Sequence, residues 1–177
     1  MPSPNGLVMN PEESVLYIAV TRGNCIWRGP LPKDGSLTKV GVFYQLYGPG
    51  GPGGLAMDVD GNLAVVHAHS GNVLLFNKKG APILRVETCA GDIATNLACG
   101  AADRRDLYIT ESETGTVMRA RMPVAGEQRA REPVDSVWNV EKLRNVKALR
   151  RLLIARPRIR PAAPFIATAL GGGWRLR

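Results

Sequence analysis

A chain of 177 residues with a hydrophobic share of 45% is long enough to bury one ordinary core. Its formal net charge of +8 resides in residues 127–177, which hold 12 Lys/Arg against 4 Asp/Glu, whereas residues 1–126 hold 11 of each. The basic balance therefore gives no ground for a nucleic-acid or membrane partner of residues 1–126, and no apolar run has the length of a membrane span.

Gly 20 and Pro 13 favour tight turns, and with them a turn-rich β protein. In chain order, Asn5-Gly6-Leu7 and a turn at Asn10-Pro11-Glu12-Glu13 lead into a strand-like run at residues 15–20. Residues 21–24 turn the chain into a strand at 25–28. A Pro-rich turn at 30–35 then leads to residues 40–44, which complete a first unit. Gly48-Pro49-Gly50-Gly51-Pro52-Gly53-Gly54 lacks the Lys-Ser/Thr pair and following helix of a phosphate loop, and reads as a flexible connection.

The second unit repeats the order. Gly53-Gly54-Leu55 and a turn at Asp58-Val59-Asp60-Gly61 precede strands at 63–66, 72–76 and 83–86. In the third, Thr95-Asn96-Leu97 and a turn at Ala102-Asp103-Arg104-Arg105 precede strands at 107–110 and 116–120. A phrase recurring about every 45 residues, each time opening a four-stranded antiparallel meander, describes propeller blades. The predicted fold is all-β: a partial β-propeller of about three four-stranded antiparallel blades over residues 1–126, plus a basic helical or disordered C-terminal tail over 127–177. Three blades leave open edges that invite self-association.

In the tail, Asp135-Ser136 caps a predicted amphipathic helix over 136–156. Val137, Val140, Leu143, Val146, Leu149 and Leu152 recur every three residues along it, and Arg156-Pro157 ends it. The Arg-, Pro-, Ala- and Gly-rich remainder reads as disordered. Such a tail serves an anionic membrane surface or partner groove, binds nucleic-acid phosphates, or is not selected protein, since a shifted frame through a GC-rich gene has this composition. Cys25, Cys89 and Cys99 form no metal-type cluster and read as free thiols, small buried residues on strands, in a reducing compartment. With no signal peptide visible between Met1 and Met9, the expected location is cytoplasmic.

The repeated phrases resemble the regucalcin / gluconolactonase / luciferin-regenerating enzyme family, which are six-bladed propellers. Three stretches carry the likeness: Pro4-Asn5-Gly6-Leu7 with residues 16–19, Gly54-Leu55-Ala56-Met57-Asp58 with Asp60-Gly61-Asn62-Leu63, and Thr95-Asn96-Leu97 running through residues 107–115. The likeness covers residues 4–125 and matches the family's second half, so the expectation is a truncated member. The resemblance implies hydrolysis of sugar lactones with one divalent cation at the channel mouth, calcium first, with zinc or manganese as alternatives. Glu, Asn and Asp are the ligands, and oxygen donors of this kind suit a hard cation. The matching Asn is Asn5, the implied metal ligand. Taken alone, Asn5 in Pro-Asn-Gly also reads as a turn residue. The family's Asp, a ligand and candidate base, is matched by Gly53, which offers no carboxylate. No catalytic residue is therefore carried over, and the expected activity is impaired or absent. The alternative is a non-catalytic binding or assembly module with a basic tail.

Two further groups have plain readings. Glu111 and Glu113 are expected to face solvent beside a hairpin turn. His67 and His69 are expected to be a strand-end pair on one side of a strand.

Overall fold

The computed structural model describes residues 2–127 and 158–161. Strands β1 (Pro4–Met9), β2 (Val15–Val20), β3 (Cys25–Pro30) and β4 (Gly41–Gln45) form one antiparallel sheet in chain order. Strands β5 (Gly51–Met57), β6 (Leu63–Ala68), β7 (Asn72–Phe76) and β8 (Pro82–Glu87) form a second. Strands β9 (Ala94–Gly100), β10 (Asp106–Glu111) and β11 (Thr116–Arg121) form a third. The first strand of each sheet is innermost, and β5 packs against both β1 and β9. Three meanders arranged around shared inner strands are consecutive blades of a propeller.

The middle blade explains the apolar run at residues 63–66. Alternate side chains of a strand point to opposite faces. Leu63 and Val65 join Val8, Tyr17, Ala19, Ile26 and Phe76 in the core between the first two blades. Ala64 and Val66 join Leu97, Leu107, Ile109 and Met118 between the second and third. A strand buried on both faces needs apolar residues at every position. Each fully buried aliphatic side chain here contributes about 1.5–3 kcal/mol. The turns are held by side chains: Asn77 Oδ1 accepts from Lys79 N at 2.9 Å and Ala81 N at 3.0 Å.

Three features differ from the sequence-based expectation. Residues 51–54, read as flexible connection, are the buried first half of β5. The third sheet has three strands among the described residues, not four. Residues 158–161, read as disordered, form β12 (Arg158–Pro161), a fifth strand on the outer edge of the second sheet, with Arg158 opposite Glu87 and Pro161 opposite Leu84. The edge of β8 offers free backbone donors and acceptors, and pairing with them stabilises extended chain whatever its composition. The predicted helix over 136–156 lies outside the described residues.

Candidate site at the mouth of the inner strands

The repeated phrase places Asn5, Gly53 and Asn96 at the leading ends of β1, β5 and β9. The pairing register is irregular there in each blade: between Pro4 and Leu7, between Pro52 and Leu55, and opposite the Thr110–Glu111 step. Bulges of this kind bend a strand and re-aim its side chains, and they cluster beside functional sites. The common irregularity gives the three phrases a shared structural meaning.

Asn5 is exposed, and its Nδ2 donates to Thr21 Oγ1 at 3.3 Å. Thr21 Oγ1 in turn donates to the Pro52 carbonyl at 2.8 Å. The Asn5 amide is thereby tied to β5 through one hydroxyl, while its Oδ1 takes no hydrogen bond among the described residues. Asn96, the third equivalent position, is committed otherwise. Its Oδ1 accepts from Leu97 N at 2.9 Å and its own N–H donates to Thr110 Oγ1 at 3.1 Å.

Gly53 is buried between these neighbours. A Cβ at position 53 would sit 2.5 Å from the Thr95 carbonyl oxygen. A Cβ on Gly6 would sit 2.5 Å from the Gly53 carbonyl oxygen, and one on Gly54 would collide with the Asn96 side chain. The inner strands thus approach backbone to backbone, and the place of an acid at position 53 is filled by a carbonyl. The donor set at this mouth, a neutral amide and backbone oxygens, does not fit a divalent cation, which wants carboxylate charge. Among the described residues no cluster of three His, Cys, Asp or Glu side chains is assembled.

The other chemistry-bearing residues are structural or stand apart. Glu111 is 3% exposed, contrary to the solvent-facing expectation, while Glu113 is exposed. Glu111 Oε1 accepts from Glu113 N at 2.8 Å and Ile93 N at 3.2 Å, and Oε2 accepts from Thr114 N at 2.7 Å. Burial pushes this carboxyl upward, but the Thr114, Glu113 and Ile93 donors outweigh burial and hold it below its ordinary value. The clue in the sequence is spacing: a carboxylate two and three residues before the N–H groups of a tight turn can accept both.

His67 is the penultimate residue of β6 and His69 lies in the turn beyond it; His67 is 2% exposed with Nε2 unpartnered among the described residues, while His69 is exposed. Burial lowers the His67 pKa, favouring the neutral ring. Cys25 is buried and Cys99 intermediate, both on strands, but Cys89, expected buried on a strand, is exposed in the connection between β8 and β9; all three are free thiols. No helix among the described residues is long and apolar enough to cross a membrane.

Comparison with known proteins agrees with this architecture. The family model for the SMP-30/Gluconolactonase/LRE-like region matches residues 1–113. Lactonase drp35 of Staphylococcus saprophyticus is 37% identical over 82 residues, which cover 45% of this chain and 25% of that protein. A solved calcium-binding protein, regucalcin, from Agrobacterium tumefaciens superposes with a TM-score of 0.58 at 28% identity, covering 62% of this chain and 38% of that one. A gluconolactonase from Xanthomonas campestris superposes with a TM-score of 0.55 at 26% identity, covering 63% of this chain and 36% of that one. The chain therefore spans about a quarter of the length of the curated lactonases it matches. With the family's match over residues 1–113 and its propeller blades in place, the chain belongs to the SMP-30/gluconolactonase/LRE-like family.

Proposed function

We propose that this chain is a gluconolactonase-like protein with impaired or absent turnover of sugar lactones. The reading rests on one observation: the position matching the family's acid is Gly53, whose missing side chain would meet the Thr95 carbonyl oxygen at 2.5 Å. Of the ligand set that the family resemblance implies, Asn5 is the residue this chain supplies. One amide oxygen binds calcium, zinc or manganese weakly, because affinity for such ions grows with the number of charged oxygen ligands. A cytoplasmic setting is supported by the free thiols Cys25, Cys89 and Cys99.

The test is direct. The purified chain is mixed with a sugar lactone in the presence of calcium, zinc or manganese, and hydrolysis is followed against the uncatalysed rate. The expected result is no turnover above background. Turnover that vanishes in Asn5→Ala would overturn the reading and assign Asn5 as a working ligand.

The same observation favours a second reading, a non-catalytic module that binds sugar-like polyols at the mouth through exposed Asn5 and Thr95. Calorimetric titration with a sugar lactone that is bound but not consumed distinguishes it from a protein with no affinity for the ring.

A further inference from the structure

A cavity of about 150 Å³ lies between the second and third blades, at the end opposite the mouth. Its wall is apolar, with Met57, Ala64, Leu75, Leu107 and Met122 among its lining residues. A chamber of about this volume with an apolar wall holds a molecule the size of benzene. Three polar groups break the wall: Asp58, Asn62 and Cys99.

Asp58 is only 8% exposed. It follows β5 directly and organises the turn into β6. Its Oδ1 accepts from Asp60 N at 3.0 Å and from Asn62 N at 2.7 Å, and its Oδ2 accepts from Asn62 Nδ2 at 2.8 Å. An ionised carboxylate offers about four acceptor positions. Three are used, and the open one belongs to Oδ2. Among the described residues no ion pair reaches the Asp58 carboxylate; those found join Glu87, Asp103 and Asp106 to arginines. Lys78 lies over Gly61 of the same turn without closing an ion pair to Asp58. Burial, and then the Asp58 charge, push the Cys99 thiol up, so sulfur adds no second negative charge to the wall.

We propose that this cavity binds a small aliphatic ammonium ion. The alkyl body fills the apolar chamber, and the ammonium donates to the open lone pair of Asp58 Oδ2. A buried carboxylate with a vacant acceptor position and no ion pair among the described residues gains from a cation placed at that position. A neutral molecule of the same shape satisfies the wall but not the charge. The proposal is independent of lactone hydrolysis, because the cavity and the mouth occupy opposite ends of the inner strands.

The test uses the full chain labelled with 13C at methionine methyls, since Met57 and Met122 both line the cavity. Titration with n-butylamine at neutral pH is expected to shift both methyl signals to saturation. Titration with n-butanol is expected to shift the same signals with roughly tenfold or greater loss of affinity, the scale of a charge-assisted hydrogen bond. Asp58→Asn keeps an oxygen for the turn N–H groups and removes the charge. It is expected to weaken n-butylamine binding about tenfold while leaving n-butanol binding in place. Ala64→Leu fills the chamber, keeps the charge, and is expected to abolish both titrations. Unmoved Met57 and Met122 signals would overturn the proposal. So would n-butylamine affinity that is equal in the wild type and Asp58→Asn, or that survives in Ala64→Leu.

Discussion

At the scale of single residues, Gly53 and His67 are the informative pair. Restoring an acid as Gly53→Asp does not rebuild a cation site, because the new Cβ enters the van der Waals shell of the Thr95 carbonyl. Backbone has to move apart to admit it, at a cost of about 1–3 kcal/mol. The expected outcome is a lower midpoint in chemical denaturation and no gain in lactone turnover. His67 acts through pH. Burial lowers its folded-state pKa below the ordinary value of 6.5. As pH falls through about 6.5 the unfolded chain takes up a proton that the folded ring resists, so stability declines from that point downward. His67→Met removes the titrating ring, and this part of the stability-versus-pH slope is expected to disappear, as read by urea denaturation at pH 7.5 and pH 5.5.

At the scale of elements, the hairpin between β10 and β11 depends on one buried carboxylate. Glu111→Ala leaves the N–H groups of Ile93, Glu113 and Thr114 without their acceptor, and the expected loss is about 1.5–3 kcal/mol. The folded-state pKa of Glu111 is lowered, so its contribution is present above the unfolded carboxyl value of about 4.3 and is lost as pH falls through the folded value. In Glu111→Ala the acid limb of the stability curve is expected to flatten, a second readout that a packing defect alone would not give. The strands at Val15–Val20 and Asn72–Phe76 were legible in sequence because each is a short, largely apolar run bounded by turn residues, and most of its positions are buried. The first half of β5 was not, because its backbone lies against Thr21, Thr95 and Asn96 so closely that glycine replaces the apolar signal. The equivalence of Asn5, Gly53 and Asn96 was legible through the repeat. The turn spacing after Glu111 and Asp58 was readable, but the depth at which Ile93 covers Glu111 and the cavity that Leu107 and Met122 close beside Asp58 were not, since they depend on segments far apart in sequence.

At the scale of the whole molecule, the tail and the blades are not separate. β12 lies along β8 with Ile159 opposite Val86 and Arg160 opposite Arg85, so the outer edge of the second blade is paired by a segment of the basic tail. An unpaired edge strand is a template for another chain. The outer face of the third blade carries a different protection, the ion pairs of Asp106 with Arg119 and Arg121 and of Asp103 with Arg121. Charged faces of this kind disfavour apolar association. Removing residues 128–177 therefore uncovers one edge and leaves the charged face intact. It also leaves 11 Lys/Arg against 12 Asp/Glu, so the truncated chain loses both its edge strand and its positive charge. The expected outcome by light scattering after size exclusion is a larger apparent mass for the truncated chain than one copy, at a concentration where the full chain elutes as a smaller species. Retention on an anionic resin is expected to vanish in the same variant. A truncated chain that stays monomeric with unchanged thermal midpoint would show that β12 contributes nothing to the protection of β8.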